Sequence, residues 1–154
     1  MKYLSRNLTF ALAGVVVLAT VLAFSGGNLW SVPADKPGIL VNITSGTENL
    51  HAVSMGLGLA NTSLKNGHNV VVFLNVEAPV FAKADLADDV QIADFPSVKQ
   101  LVASVIENGG KVVVCNHCAH VCEVGTDNLV EGAVISGHGE ILQLIETGMV
   151  GFSY

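Results

Sequence analysis

Short, uninterrupted apolar runs decide what this chain can fold into. Residues 38–44 (GILVNIT), 68–75 (HNVVVFLN), 111–114 (KVVV) and 133–136 (AVIS) are too short for buried helices and rich in β-branched side chains. Such runs are strands. The first three do not alternate apolar with polar, so each of them is buried on both faces. A sheet buried on both faces needs a helical layer on each, and parallel strands need crossovers long enough to supply those helices.

The intervening segments have the right pattern. Residues 49–65 put Val53, Leu57, Ala60 and Leu64 on one helical face. The turn Ser45-Gly46-Thr47-Glu48 caps its start, with Glu48 opening the helix, and Asn66-Gly67 stops it. Pro96 opens a helix over 97–108 that turns Val98, Leu101, Val102, Val105 and Ile106 inward, and Gly109-Gly110 closes it. A short helix is expected over 80–86, another from Asn116 and a last one over 138–147, before a final strand at 149–153. With right-handed crossovers, the expected fold is α/β: a flavodoxin-like, doubly wound, mainly parallel sheet of about five strands, preceded by one N-terminal apolar helix. In such sheets ligands bind beyond the carboxyl ends of the strands. That singles out the loops 44–49, 115–125 and 137–140.

Residues 1–27 are of another kind. Lys2 and Arg6 precede an uncharged run, 8–24 (LTFALAGVVVLATVLAF), which Ser25-Gly26-Gly27 ends. This order is that of a signal peptide or a retained membrane anchor, with the anchor favoured. Positive residues stay inside, so the remainder is expected on the extracytoplasmic, periplasmic side. Residues 28–37 (NLWSVPADKP) form a linker, with Trp30 placed to sit at the membrane interface, and 38–154 form the soluble domain. Of 13 acidic and 7 basic residues in the chain, 12 acids but only 4 lysines fall within 38–154. No basic run exists, which argues against nucleic acid. The acidic domain disfavours anionic lipid and anionic substrates, and suits a protein partner better.

The unusual chemistry is concentrated in Cys115-Asn116-His117-Cys118-Ala119-His120-Val121-Cys122, which holds all 3 cysteines of the chain. Cys115 ends a buried strand and starts a helix, where free N–H groups and the helix dipole favour a thiolate. On a helix Cys118 and Cys122 share one face and His117 and His120 another. Cys115 and Cys118 are spaced for a disulfide or a shared metal. The motif is not followed by histidine, so covalent haem attachment is excluded, and no second Cys-x-x-Cys completes a zinc ribbon. Soft thiolates beside imidazoles at Cys115, His117, Cys118, His120 and Cys122 suit Cu(I) or Zn(II). His138 heads a loop expected to face Cys115. The loop at 44–47 is placed like a flavin-phosphate loop, but Glu48 would repel phosphate, so FMN is not expected. His51 and His68 read as solvated or capping residues, and Asp85, Asp88, Asp89 and Asp94 as a solvated acidic loop.

The segments 66–70 (NGHNV), 111–115 (KVVVC) and 127–133 (DNLVEGA), in this order with a short helix and terminal strand after them, resemble the DsrE/DsrF-like sulfur-relay proteins. The resemblance covers residues 38–154. It implies a flavodoxin-like fold, a persulfide carried on Cys115 and handed to a protein partner, Cys118 as a second thiol, and a homotrimer or hexamer. His117, Cys118, His120 and Cys122 stand where cytoplasmic relay members carry small residues and arginine, and the domain has no arginine. Beside the sulfur carrier, two alternatives stay open: a Cu- or Zn-binding module, and an accessory subunit of a membrane complex held by residues 8–24.

Overall fold

Every residue of the strand Val70–Leu74 is buried, which requires a strand on each side of it and a layer on each face. The computed structural model, which describes residues 36–154, provides both. Strands β1 (Ile39–Ile43), β2 (Val70–Leu74), β3 (Lys111–Cys115), β4 (Ala133–Ser136) and β5 (Val150–Ser153) form one sheet in the order β4-β3-β2-β1-β5. All four pairings are parallel. Helices α1 (Leu50–Lys65), α2 (Val98–Glu107), α3 (Asn116–Val121) and α4 (His138–Glu146) follow β1 to β4 in turn.

The first four strands are laid down in one direction, and the chain then returns to place β5 beside β1. A right-handed crossover that reverses direction puts its helix on the opposite face. Two apolar clusters reflect this. On one face Val41, Ile43, Val72, Leu74, Val112 and Val114 meet Val53 and Leu57 of α1, Val98, Val102 and Val105 of α2, and Ala119 of α3. On the other, Leu40, Val71, Phe73, Val113 and Cys115 meet Ile141 and Leu144 of α4 and Met149. This is the doubly wound sheet expected. The N-terminal apolar helix expected within 1–27 and most of the expected linker fall outside the described residues. Among the described residues, no helix is long and apolar enough to cross a membrane.

Element ends follow local chemistry. The α1 cap is Asn49, whose side chain accepts from the Ala52 N–H at 3.2 Å, rather than the expected Ser45–Glu48 turn. A 3-10 turn, Thr47–Asn49, intervenes. Gly67, at φ +77°, donates to the Leu64 carbonyl and stops α1 where Asn66-Gly67 predicted. Ser97 and Gln100 form a reciprocal capping box on α2. The helix expected over 80–86 is instead a 3-10 helix, Ala78–Ala82. Lys83 turns extended because it bridges to Leu129, and the Ala84 N–H is taken by the Asn128 carbonyl at 2.8 Å. A long-range pairing therefore ends the helix early.

Gly132 leads into β4 at φ +89°, and a Cβ there would lie 2.5 Å from Ile106 Cγ2. Gly132→Ala is expected to cost about 2 kcal/mol, combining left-handed backbone with overlap. Gly58, inside α1, has nothing within 4 Å of the corresponding position. Gly58→Ala is expected to gain about 0.5–1 kcal/mol. Urea midpoints of the two variants should move in opposite directions.

Candidate functional site

Cys115 is the last residue of β3 and the cap of α3. It pairs across the sheet with Ser136, the last residue of β4. That register brings the next two residues, Gly137 and His138, over the end of β3. His138 Nε2 lies 3.6 Å from Cys115 Sγ. Cys115 is 1% exposed, within the α4-side cluster. A cavity of about 100 Å3 lies at this strand end, lined by Cys115, Asn116, His117, Gly137 and His138. Ser136 and Glu140 are joined by a hydroxyl–carboxylate hydrogen bond that fixes the first turn of α4 on β4. The expectation that the His138 loop faces Cys115 matches this geometry.

Helix α3 is only six residues long, less than two turns, so the dipole expected to act on Cys115 is small. What α3 does supply is placement. Cys118, in its first turn, packs on the cluster that contains Cys115. Cys122 caps its end and packs on the cluster of the other face. The common face expected for Cys118 and Cys122 is turned toward the loop after β2. Cys118 Sγ donates to Asn75 Oδ1 at 3.1 Å and accepts from the Val76 N–H at 3.3 Å. Cys122 Sγ donates to the Val76 carbonyl at 3.5 Å.

Val76 has φ +56°, a conformation that is an outlier for a β-branched residue and costs about 1–3 kcal/mol. Its side chain is 51% exposed, so burial offsets little of that. What the left-handed turn does is aim both its N–H and its carbonyl at α3, with Asn75 Oδ1 also accepting from the N–H at 2.9 Å. Neither Asn75 nor Val76 was singled out by sequence. The available signal was position, since Asn75 directly follows the carboxyl end of a fully buried parallel strand.

The five side chains considered as metal ligands do not converge. His117 and His120 are exposed, with His117 lining the cavity at Cys115, and Cys115 and Cys122 belong to opposite layers. One short helix cannot turn all five positions toward a point. Among the described residues, no group of three or more His, Cys, Asp or Glu is placed to hold a metal ion. All three cysteines are free thiols. In the loop at 44–47, the Gly46 N–H is taken by the Glu48 carboxylate at 2.8 Å. Asp88 meets Lys99 at 3.1 Å on the surface, an exposed pair of little energetic weight.

Burial pushes the Cys118 thiol above its ordinary range, helped by the neighbouring Cys115 and opposed by the Val76 N–H. Burial also raises Cys122, with the Glu77 charge adding and Lys83 opposing. The thiolate is the reacting form. Alkylation of Cys118 by iodoacetamide, followed by peptide mass, should therefore rise with pH around a midpoint above that of the unfolded chain. A midpoint at or below the unfolded value would contradict the upward push from burial and the neighbouring Cys115.

Comparison with known proteins agrees with this architecture. The chain is similar to the ychN protein from E. coli, with a TM-score of 0.68 and 14% identity over 77% of this chain and 100% of that one. It is also similar to protein MTH1491 of Methanobacterium thermoautotrophicum, with a TM-score of 0.61 and 14% identity over the same shares, 77% and 100%. At such identity the likeness shows the fold. In sequence it is 29% identical over 94 residues to the uncharacterized protein MJ0760 of Methanocaldococcus jannaschii, a stretch that is 61% of this chain and 34% of that protein. The chain thus spans about a third of that relative's length. The model of the DsrE/DsrF-like family matches residues 38–150, from the first strand to the start of the last. With its strand-end cysteine and five-stranded parallel sheet, the chain belongs to the DsrE/DsrF-like family.

Proposed function

We propose that the domain is a sulfur carrier that holds sulfane sulfur as a persulfide on Cys115. The observation that carries this reading is the pair formed by Cys115 Sγ and His138 Nε2, 3.6 Å apart, beside a cavity of about 100 Å3. A nucleophilic thiol needs a base within reach and space for the arriving group. His138 takes the Cys115 proton. The thiolate attacks the outer sulfur of a donor persulfide, R–S–SH. The donor S–S bond breaks, RS⁻ leaves, and Cys115–S–SH remains with its outer sulfur in the cavity. The reverse step delivers that sulfur to an acceptor thiol, and no net oxidation occurs in either direction.

The extracytoplasmic setting belongs to the same proposal. Residues 8–24 tether the domain outside the cytoplasm, and its acidic surface, with 12 acids against 4 lysines over 38–154, favours exchange with a protein partner. The metal-binding alternative has less support, since the thiols and imidazoles are spread over two layers of the fold.

Incubation with a persulfide donor, followed by intact mass under anaerobic conditions, is the test. The wild-type chain should gain the mass of sulfur, removable by reductant, and Cys115→Ser should carry no sulfur beyond what resides on the other thiols. His138→Ala should slow loading of Cys115 about a hundredfold. Unchanged sulfur loading at position 115 in His138→Ala would remove the base from the mechanism. Absence of sulfur on Cys115 in the wild type would refute the carrier reading.

A further inference from the structure

Two neighbouring thiols at this site differ sharply in access. Cys115 is 1% exposed, whereas Cys118, in the first turn of α3, is only partly buried. The cavity beside Cys115, about 100 Å3, has room for roughly three water-sized groups. An inorganic persulfide ion fits there. A persulfide carried on a peptide or a protein loop meets the 1%-exposed Cys115 less readily. Cys118 instead meets Val76, an exposed apolar residue that directly follows Asn75 after β2, and packs on the same apolar cluster as Cys115.

We infer that sulfur enters by two routes sorted by donor size: bulky persulfides hand their outer sulfur to Cys118, which passes it inward to Cys115, while inorganic persulfide reaches Cys115 directly through the His138 cavity. The inference rests on the carrier reading above and adds the class of donor that each thiol meets. Val76 is the positioning residue for the first route. Its left-handed backbone, φ +56°, points its N–H at Cys118 Sγ, 3.3 Å away. A fixed donor at that distance stabilises a sulfur that must carry negative charge.

The chemistry balances in both steps. In the first, the Cys118 thiolate attacks the outer sulfur of R–S–SH, an S–S bond forms on Cys118, the donor S–S bond breaks, and RS⁻ leaves to be protonated by solvent. In the second, Cys115, its proton taken by His138 Nε2, attacks the outer sulfur of the Cys118 persulfide. The S–S bond at Cys118 breaks, and the Cys118 thiolate departs toward the Val76 N–H. One sulfane sulfur moves twice, with no net oxidation or reduction.

The test uses the full-length chain with two donors whose outer sulfur is isotopically labelled: glutathione persulfide, which is bulky, and disodium disulfide, which is inorganic. Tandem mass spectrometry locates the label at Cys115 or Cys118 over time. In Cys118→Ser, and in Cys118→Ala as a second variant without a hydroxyl, glutathione persulfide should load Cys115 at least about tenfold more slowly than in wild type. Disodium disulfide should load Cys115 in the same variants at a rate near wild type. In Cys115→Ser, label from glutathione persulfide should stop on Cys118. Wild-type loading of Cys115 by glutathione persulfide in both Cys118 variants would overturn the relay and leave the carrier reading intact. No label on Cys118 in Cys115→Ser would overturn it likewise. Failure of both donors to label Cys115 in the wild type and in the Cys118 variants would overturn the carrier reading itself, and the relay with it.

Discussion

The pairing of β3 with β4 ties this molecule's chemistry to its fold. Cys115 lies opposite Ser136 in a parallel register. A shift by one residue would turn the Cys115 thiol to the other face of the sheet, away from α4. Burial of Val112, Val114, Val113 and Cys115 on alternating sides holds the register against such a slip. The short Gly137 link and the Ser136–Glu140 hydrogen bond then leave the first residue of α4 over the sulfur. The imidazole is thus positioned by the sheet, through a turn too short to wander.

The same sheet explains what was legible in the sequence. Runs such as VVVFL and KVVV have no polar alternation, and only strands buried on both faces read that way. Strand identity, parallel direction and the helix stops at Gly67 and Gly109 all follow from local chemistry, and all are found in the structure. The place of Cys115 was legible too, because the residue that follows KVVV falls at the carboxyl end of a parallel strand. His138 was within reach of the same argument, since consecutive parallel neighbours place the loops after β3 and β4 side by side.

The remainder depended on contacts between segments far apart in the chain. Nothing local marks Val76 as left-handed, because β-branched residues avoid that region. Its conformation is set by what α3 presents more than 40 positions later, two thiols that take its N–H and its carbonyl. The early end of the helix at Ala82 has a similar origin in the bridge from Lys83 to Leu129. In both places a local preference is overridden by a tertiary partner, and a single sequence carries the preference without the partner.

The three cysteines that look like one cluster in sequence are three environments in space. Cys115 belongs to the α4-side layer and faces an imidazole. Cys122 leans on the opposite layer and faces a backbone carbonyl. Cys118 lies between them, held by an amide oxygen and a strained N–H. A metal site requires convergence, with several ligands meeting at one point. A chain of thiols handing an atom from one to the next requires graded access and different partners for each sulfur. The helix that separates these residues is six residues long, enough to spread them across the mouth of the sheet and too short to gather them. Under the carrier reading proposed above, this placement suits transfer from thiol to thiol better than capture at a point.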